Sequence, residues 1–226
     1  MRGGMIGIAS GDQLRFSQFV TSIMGLQKPP DWVFAQAIGH SVAINWNNLA
    51  KQFLEYPEHL KWLFLTEDDN LLPKDALLRL LAHDKDIVSG LYVQRLIPFA
   101  PVMFDRIDKS GKVFHRFLKK GDCGLKEVAV CSGGCLLIKR HVLETIGAPY
   151  WYYGDSIYVD ACNHDINFSR KATRAGFQLW NDLDVIVDHL MTFPIRPYRD
   201  TEGNWHTRIV QSDDKFIQVD AAIQDT

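Results

Sequence analysis

The chain lacks any apolar run approaching the roughly 20 residues that cross a bilayer as a helix, and residues 1–10 lack the layout of a secretory signal. These absences lead us to expect a cytosolic protein. Its four cysteines, Cys123, Cys131, Cys135 and Cys162, are then expected to be reduced structural thiols. Only Cys131 and Cys135 stand at close spacing, and with no second such pair zinc stays open only as an alternative. There is no excess of either charge: 25 Lys and Arg against 27 Asp and Glu leave −2. A global pull towards nucleic acid or an anionic membrane is therefore missing, which leaves room only for a local basic groove. Also missing is a phosphate-cradling glycine fingerprint. The stretch Ile8-Ala9-Ser10-Gly11-Asp12 has neither dinucleotide nor Walker spacing. No internal repeat or low-complexity segment is present.

What is present suits one α/β domain: 226 residues are enough to bury a substantial core. Apolar runs at 5–9, 32–37, 62–65 and 87–88 alternate with helical spacing at 13–24, 41–53 and 74–82. This alternation predicts a parallel sheet, whose ligand-binding loops lie at the carboxyl ends of the strands. Ser10-Gly11, Gly39-His40 and Glu67-Asp68-Asp69 all fall at such ends, although Gly11 and Gly39 equally suit plain turns. From residue 101 the pattern turns to short β-type runs at 101–105, 112–118, 128–131 and 135–139, broken by Ser110-Gly111, Gly121 and Gly133-Gly134. A mixed or antiparallel extension is expected there. Helices follow at 140–146 and 163–175, stopped by Gly147 and Gly176, and then two short strands at 178–180 and 185–187. The tail, 194–226, has no firm period.

One stretch stands out. The apolar run Trp62-Leu63-Phe64-Leu65-Thr66 ends in three consecutive carboxylates, Glu67-Asp68-Asp69. Adjacent like charges at the mouth of a buried strand repel and are costly to desolvate, so a divalent cation or its phosphates would relieve them. A solvated turn before the helix that Pro73 introduces is the competing reading.

The order of parts resembles the GT-A glycosyltransferases, in particular the small, soluble enzymes of viral and bacterial genomes that look like family two. The resemblance is carried by Ser41-Val42-Ala43 with Asn48, Phe64-Leu65-Thr66-Glu67-Asp68-Asp69, Asp86-Ile87-Val88-Ser89-Gly90-Leu91-Tyr92, Gly133-Gly134-Cys135-Leu136-Leu137-Ile138, and His164-Asp165-Ile166-Asn167-Phe168 through Arg174-Ala175-Gly176-Phe177. It implies an α/β GT-A fold over about 1–190, with a Rossmann-like nucleotide-binding half, about 1–100, and a mixed-sheet acceptor half, about 101–190. Residues 191–226 would be a C-terminal arm or lid, with Arg196, Tyr198, Arg199, Trp205, His206 and Arg208 available to a donor. The implied activity is metal-dependent, inverting transfer of a sugar from a nucleotide-diphosphate sugar, with Mn²⁺ or Mg²⁺, to an acceptor hydroxyl on a glycan, lipid-linked sugar, protein or modified nucleic acid.

The resemblance also implies roles, residue by residue. Asp69 takes the last place of the family's Asp-X-Asp motif and is the main metal ligand; Glu67 replaces the first Asp and touches the ribose, the metal or neither; Asp68 lies between them. His189, in Val187-Asp188-His189-Leu190, matches a late histidine ligand, and Asp165 matches the catalytic base, with His164 where the family has Glu. Ser10, Gly39, Tyr92, Arg95, Gly133 and Gly134 are implied contacts to the donor. Taken alone, Asp165 could be an ordinary helix cap, His189 a structural histidine, Gly133-Gly134 a turn and Arg95 loop surface. Two other functions stay open: a nucleotidyltransferase, or a glycan- or nucleotide-binding module on a decayed transferase scaffold.

Overall fold

The computed structural model describes residues 3–11, 16–95, 97, 99–108, 112–153, 164–203, 205–212 and 215–219. Its first half runs β1 (Gly3–Ser10), α1 (Ser17–Gly25), β2 (Trp32–Ile38), α2 (Val42–Glu55), β3 (Leu60–Glu67), β4 (Asn70–Leu71), α3 (Ala76–Ala82) and β5 (Ile87–Leu91). There follow β6 (Phe104–Ile107), β7 (Val113–His115), β8 (Leu125–Val128), β9 (Cys135–Lys139), α4 (Arg140–Ile146), α5 (His164–Arg174), β10 (Leu179–Ile186) and β11 (Asp188–His189). The chain ends in β12 (Ile195–Arg199), β13 (Trp205–Ser212) and β14 (Lys215–Val219).

Seven strands form the main sheet in the order β2-β1-β3-β9-β5-β10-β8. The β1–β2, β1–β3 and β5–β10 pairs are parallel, as the βα alternation predicts. The run at 135–139, expected in a mixed or antiparallel extension, is indeed antiparallel, but instead of extending the sheet it enters the centre as β9, between β3 and β5. Its opening turn therefore lies at the carboxyl edge of the parallel strands: Cys135 pairs with Thr66, which puts Gly133-Gly134 beside Glu67. Likewise β10 ends at this edge, and β11 pairs with β4 so that His189 faces Asn70.

Both faces of the sheet are covered. Leu63 and Leu65 join Trp46, Leu49 and Phe53 of α2 and Phe168 of α5 in one core, while Trp62 and Phe64 point the other way to Leu77 and Leu80 of α3. Burial on both sides is why these strands read as continuous apolar runs rather than alternating ones. Arg140, at the β9–α4 junction, is buried and donates to the carbonyls of Phe53, Tyr56 and Leu60 at 2.9, 2.7 and 2.9 Å, which caps the end of α2.

Several boundaries differ from the sequence reading. The two strands expected at 178–187 are one continuous β10, and β6 to β8 sit a few residues from their expected places because edge strands carry a weaker pattern. The tail without a period is a three-stranded antiparallel sheet, β12-β13-β14. Gly147 and Gly176 do end helices, with φ of 66° and 92°. Cys123, Cys131 and Cys135 are free thiols, the last two buried. Cys162, Ser110-Gly111 and the expected helix starts at 13 and 163 lie outside the described residues. Among the described residues no helix is long and apolar enough to cross a membrane.

Candidate active site

The carboxylates that close β3 are not a solvated turn. Asp68 and Asp69 are 3% and 1% exposed, so their charges need partners. Arg95 supplies one, its Nη1 standing 2.6 Å from Asp69 Oδ2. Instead of loop surface, Arg95 is thus part of the acidic corner. The other Asp69 oxygen faces His189 Nε2 at 3.8 Å, and the two segments are tied by a hydrogen bond from Leu190 N to Asp69 O. His189 Nδ1 lies 2.8 Å from the Val93 carbonyl, which can only accept, so Nδ1 carries a proton. In the neutral form of the ring Nε2 would turn its lone pair towards a carboxylate oxygen, an arrangement that a cation between the two would stabilise.

Glu67 shows the same electrostatics from the other side. Burial first, then the nearby carboxylates of Asp69, Asp165 and Asp68, push its pKa to about 8 against the opposing pull of Arg95. The acid is held neutral near pH 7. Asp165, at the start of α5, is also buried, and burial raises its pKa; His164, the Ser132 hydroxyl and the Gly133 amide act in the opposite direction. Ser132 Oγ donates to Asp165 Oδ2 at 2.7 Å, and His164 Nε2 is 3.7 Å from Oδ1.

The two glycines between these acids have an internal reason to be there. A Cβ on Gly133 would fall 1.9 Å from the Trp46 ring, and one on Gly134 would fall 2.9 Å from the Tyr92 ring. The turn is pinned further by Thr66 Oγ1 donating to Gly134 O at 2.9 Å. Tyr92 packs its ring edge-on to His189, centroids 5.4 Å apart, and its hydroxyl contacts Ser132.

Beside the acidic corner a cavity of about 240 Å³ is lined by Ser10, His40, Asn45, Glu67, Asp68 and Asp69, among others. Gly39, with φ 83°, makes the turn next to it. Asn45 bridges the walls by donating to the carbonyls of Ser10 and His40, and its buried Oδ1 has no hydrogen-bond partner among the described residues. A second cavity of about 780 Å³ opens at the opposite end of β10, lined by Arg116, Arg170 and Arg174 with Asp105, Asp108 and Glu127, and does not include Glu67, Asp68 or Asp69. In the tail Arg208 stacks on Tyr198 and Phe216, Arg199 on Trp205, and His206 pairs with Asp200.

One edge of the sheet thus holds Ser10, Glu67, Asp68, Asp69, Tyr92, Arg95, Gly133, Gly134, Asp165 and His189. Ser132 and Asn45 escaped the sequence reading. Ser132 stands directly before Gly133-Gly134 and Asn45 one helical turn after Ser41, but a serine or asparagine at such places announces nothing by itself.

Two solved structures share this backbone arrangement. The crystal structure of A197 from STIV matches with a TM-score of 0.60 at 18% identity, over 100% of this chain and 99% of that one. A crystal structure of GalNAc-T7 with UDP, GalNAc and Mn²⁺ matches with a TM-score of 0.57 at 11% identity, over 83% of this chain but 44% of that one. The fold is that of the GT-A glycosyltransferases. At these identities the likeness speaks for the fold alone. No family model and no curated protein matches the sequence.

Among the described residues no three His, Cys, Asp or Glu side chains converge as a ready-made metal site. The pair Asp69 Oδ1 and His189 Nε2 nevertheless fits a divalent cation of the kind that takes one or two protein ligands and fills its remaining positions from phosphate and water.

Proposed function

We propose that the chain is a metal-dependent glycosyltransferase that moves a sugar, with inversion, from a nucleotide-diphosphate sugar to an acceptor hydroxyl. The observation that carries this reading is the meeting, at one sheet edge, of the Asp69–His189 pair with a separate buried acid, Asp165. Asp69 and His189 would hold Mn²⁺ or Mg²⁺, with Glu67 next to them. Bound there, the cation would offset the negative charge that grows on the departing diphosphate.

The chain's own residues do the rest. The nucleoside would enter the cavity between Ser10, His40 and Asp68, next to the turn at Gly39, where the Asn45 Oδ1 would accept one of its N–H or O–H groups. Arg95, held by Asp69, would touch the diphosphate, and the tight turn at Gly133-Gly134 with Tyr92 behind it would shape the sugar's side. As the acceptor oxygen bonds to the anomeric carbon, the carbon–oxygen bond to phosphate breaks, its electron pair leaves with the nucleoside diphosphate, and Asp165 takes the acceptor's proton. In this reading residues 1–190 are the transferase unit, with its nucleotide half before residue 100, and 191–226 an appended arm or lid.

Arg95 favours a second reading, a nucleotide- or glycan-binding module without turnover, because its guanidinium already neutralises Asp69. Calorimetric titration of nucleoside diphosphates separates the two. With Mn²⁺ the parent is expected to bind at least about tenfold more tightly than in chelator, and Asp69→Ala to lose that difference. Equal affinity in both conditions removes the metal from the reading, and absence of sugar transfer from every common nucleotide sugar leaves the binding module.

A further inference from the structure

The buried groups behind Asp165 form a chain whose direction can be deduced. Tyr92 contributes a hydroxyl from the end of β5, Ser132 a hydroxyl from the turn before β9, and Gly134 a backbone amide from the same turn. The Gly134 N–H donates to the Tyr92 oxygen at 3.2 Å. The Tyr92 hydroxyl bonds to Ser132 Oγ, and Ser132 Oγ lies 2.7 Å from Asp165 Oδ2. Each hydroxyl has one proton to give, and a carboxylate can only accept. Ser132 must therefore spend its proton on Asp165, Tyr92 must give its own to Ser132, and the Gly134 amide fixes the start of the sequence. Every donor points towards the acid.

We propose that Tyr92 and Ser132 are positioning residues that orient the Asp165 carboxyl and favour its ionised form through this chain of donors to Oδ2. The inference rests on Asp165 being the base of the transfer reaction. It goes beyond that reading by assigning two hydroxyls, on two other elements, to the base's orientation and charge. Three residues from separate parts of the chain share one buried line, with Tyr92, Ser132 and Asp165 7%, 4% and 6% exposed. Tyr92 also accepts from the Gly134 amide of the turn, which Thr66 holds from its carbonyl side, so the readout must report on Asp165 itself and not on stability alone. Other ionisable groups that act on or respond to Asp165 are Glu67 at the end of β3, Cys131 before the turn, Tyr153 and the adjacent His164. None of these supplies the donor line to Oδ2.

Donors to an anion favour the ionised acid, so removing them should make Asp165 harder to ionise. The test uses Tyr92→Phe, which deletes one oxygen and keeps the ring against His189, together with Ser132→Ala. Two quantities are read: the pH profile of sugar transfer, and the titration of the Asp165 carboxyl by carbon-13 magnetic resonance in the donor-free protein. Both variants are expected to lower kcat about tenfold with the donor KM little changed, and to move the acidic limb of the profile and the carboxyl midpoint upward by roughly one pH unit. If Ser132→Ala fails to fold, Tyr92→Phe decides alone. An unchanged profile and an unchanged midpoint in a folded Tyr92→Phe overturn the inference. The outcomes separate from those of the function itself: a parent protein that transfers no sugar refutes the transferase reading and with it the role of the base, whereas a parent that transfers, beside a Tyr92→Phe indistinguishable from it, refutes only the positioning chain.

Discussion

Glu67 is the residue whose environment most clearly opposes its usual charge. Its folded pKa, raised from 4.5 to about 8 by burial and by neighbouring carboxylates, means that the native state holds a proton the unfolded chain has released. The sign follows: this contribution to stability is complete below pH 4.5 and is lost as the pH rises through 8. In metal-free buffer the parent should therefore lose stability from pH 5 to pH 9. Glu67→Gln, which keeps the shape without the charge, should flatten that slope by an amount on the order of a few kcal/mol. Urea denaturation at the two pH values measures it. Because Asp165 is shifted in the same direction, the difference between parent and variant, rather than the parent's slope, isolates Glu67. Parallel slopes for the two proteins would mean that Glu67 is ionised in the folded state.

At the scale of elements, two junctions hold the site in place. The turn into β9 approaches Trp46 so closely that Gly133→Ala must displace a fully buried indole. The expected cost is about 3 kcal/mol, read as a lower urea midpoint, and a Trp46→Phe background should relieve part of it. An unchanged midpoint would show that the turn has room to spare. The second junction is Arg140, whose fork serves the carbonyls that end α2. Arg140→Met leaves those acceptors buried without donors, with an expected loss of about 3 kcal/mol. Arg140→Lys should recover little of it, since a single ammonium cannot reproduce the planar fork. Full recovery by lysine would reduce the role of Arg140 to its charge. Both junctions depend on β9 lying between β3 and β5, which no local pattern in 135–139 announced: an apolar pentapeptide suits the centre of a sheet or its extension equally.

At the scale of the whole molecule, β12 to β14 form hydrogen bonds as a sheet of their own and do not extend the seven-stranded one. Within their sheet Arg208 stacks on Tyr198 and Phe216, and Arg199 on Trp205. A chain ending after residue 193 is expected to unfold in one cooperative transition at nearly the parent's midpoint, because the two large cores lie within the retained part. Calorimetry of the truncated chain, followed by titration with nucleoside diphosphate and Mn²⁺, also separates arm from lid. Unchanged nucleotide affinity fits an arm, a clear loss would mark a lid, and failure to fold would show that the segment is part of the domain.

The alternation of strand and helix, the acidic end of β3 and the helix stops at Gly147 and Gly176 were legible in the sequence because each is set by neighbours in the chain: an apolar run, a cluster of like charges, a residue that accepts positive φ. The likeness of the ordered motifs to GT-A enzymes carried the fold further than periodicity could. Only the tertiary structure decided that β9 enters the centre of the sheet, that β11 brings His189 to Asp69, that Arg95 pairs with the same carboxylate, and that Tyr92 and Ser132 line up behind Asp165. These are pairings between residues far apart in the chain, and neither a serine before two glycines nor an arginine after a strand carries a local preference that names its partner. They are selected by the burial of polar groups, which must find donors or acceptors wherever the packed strands place them.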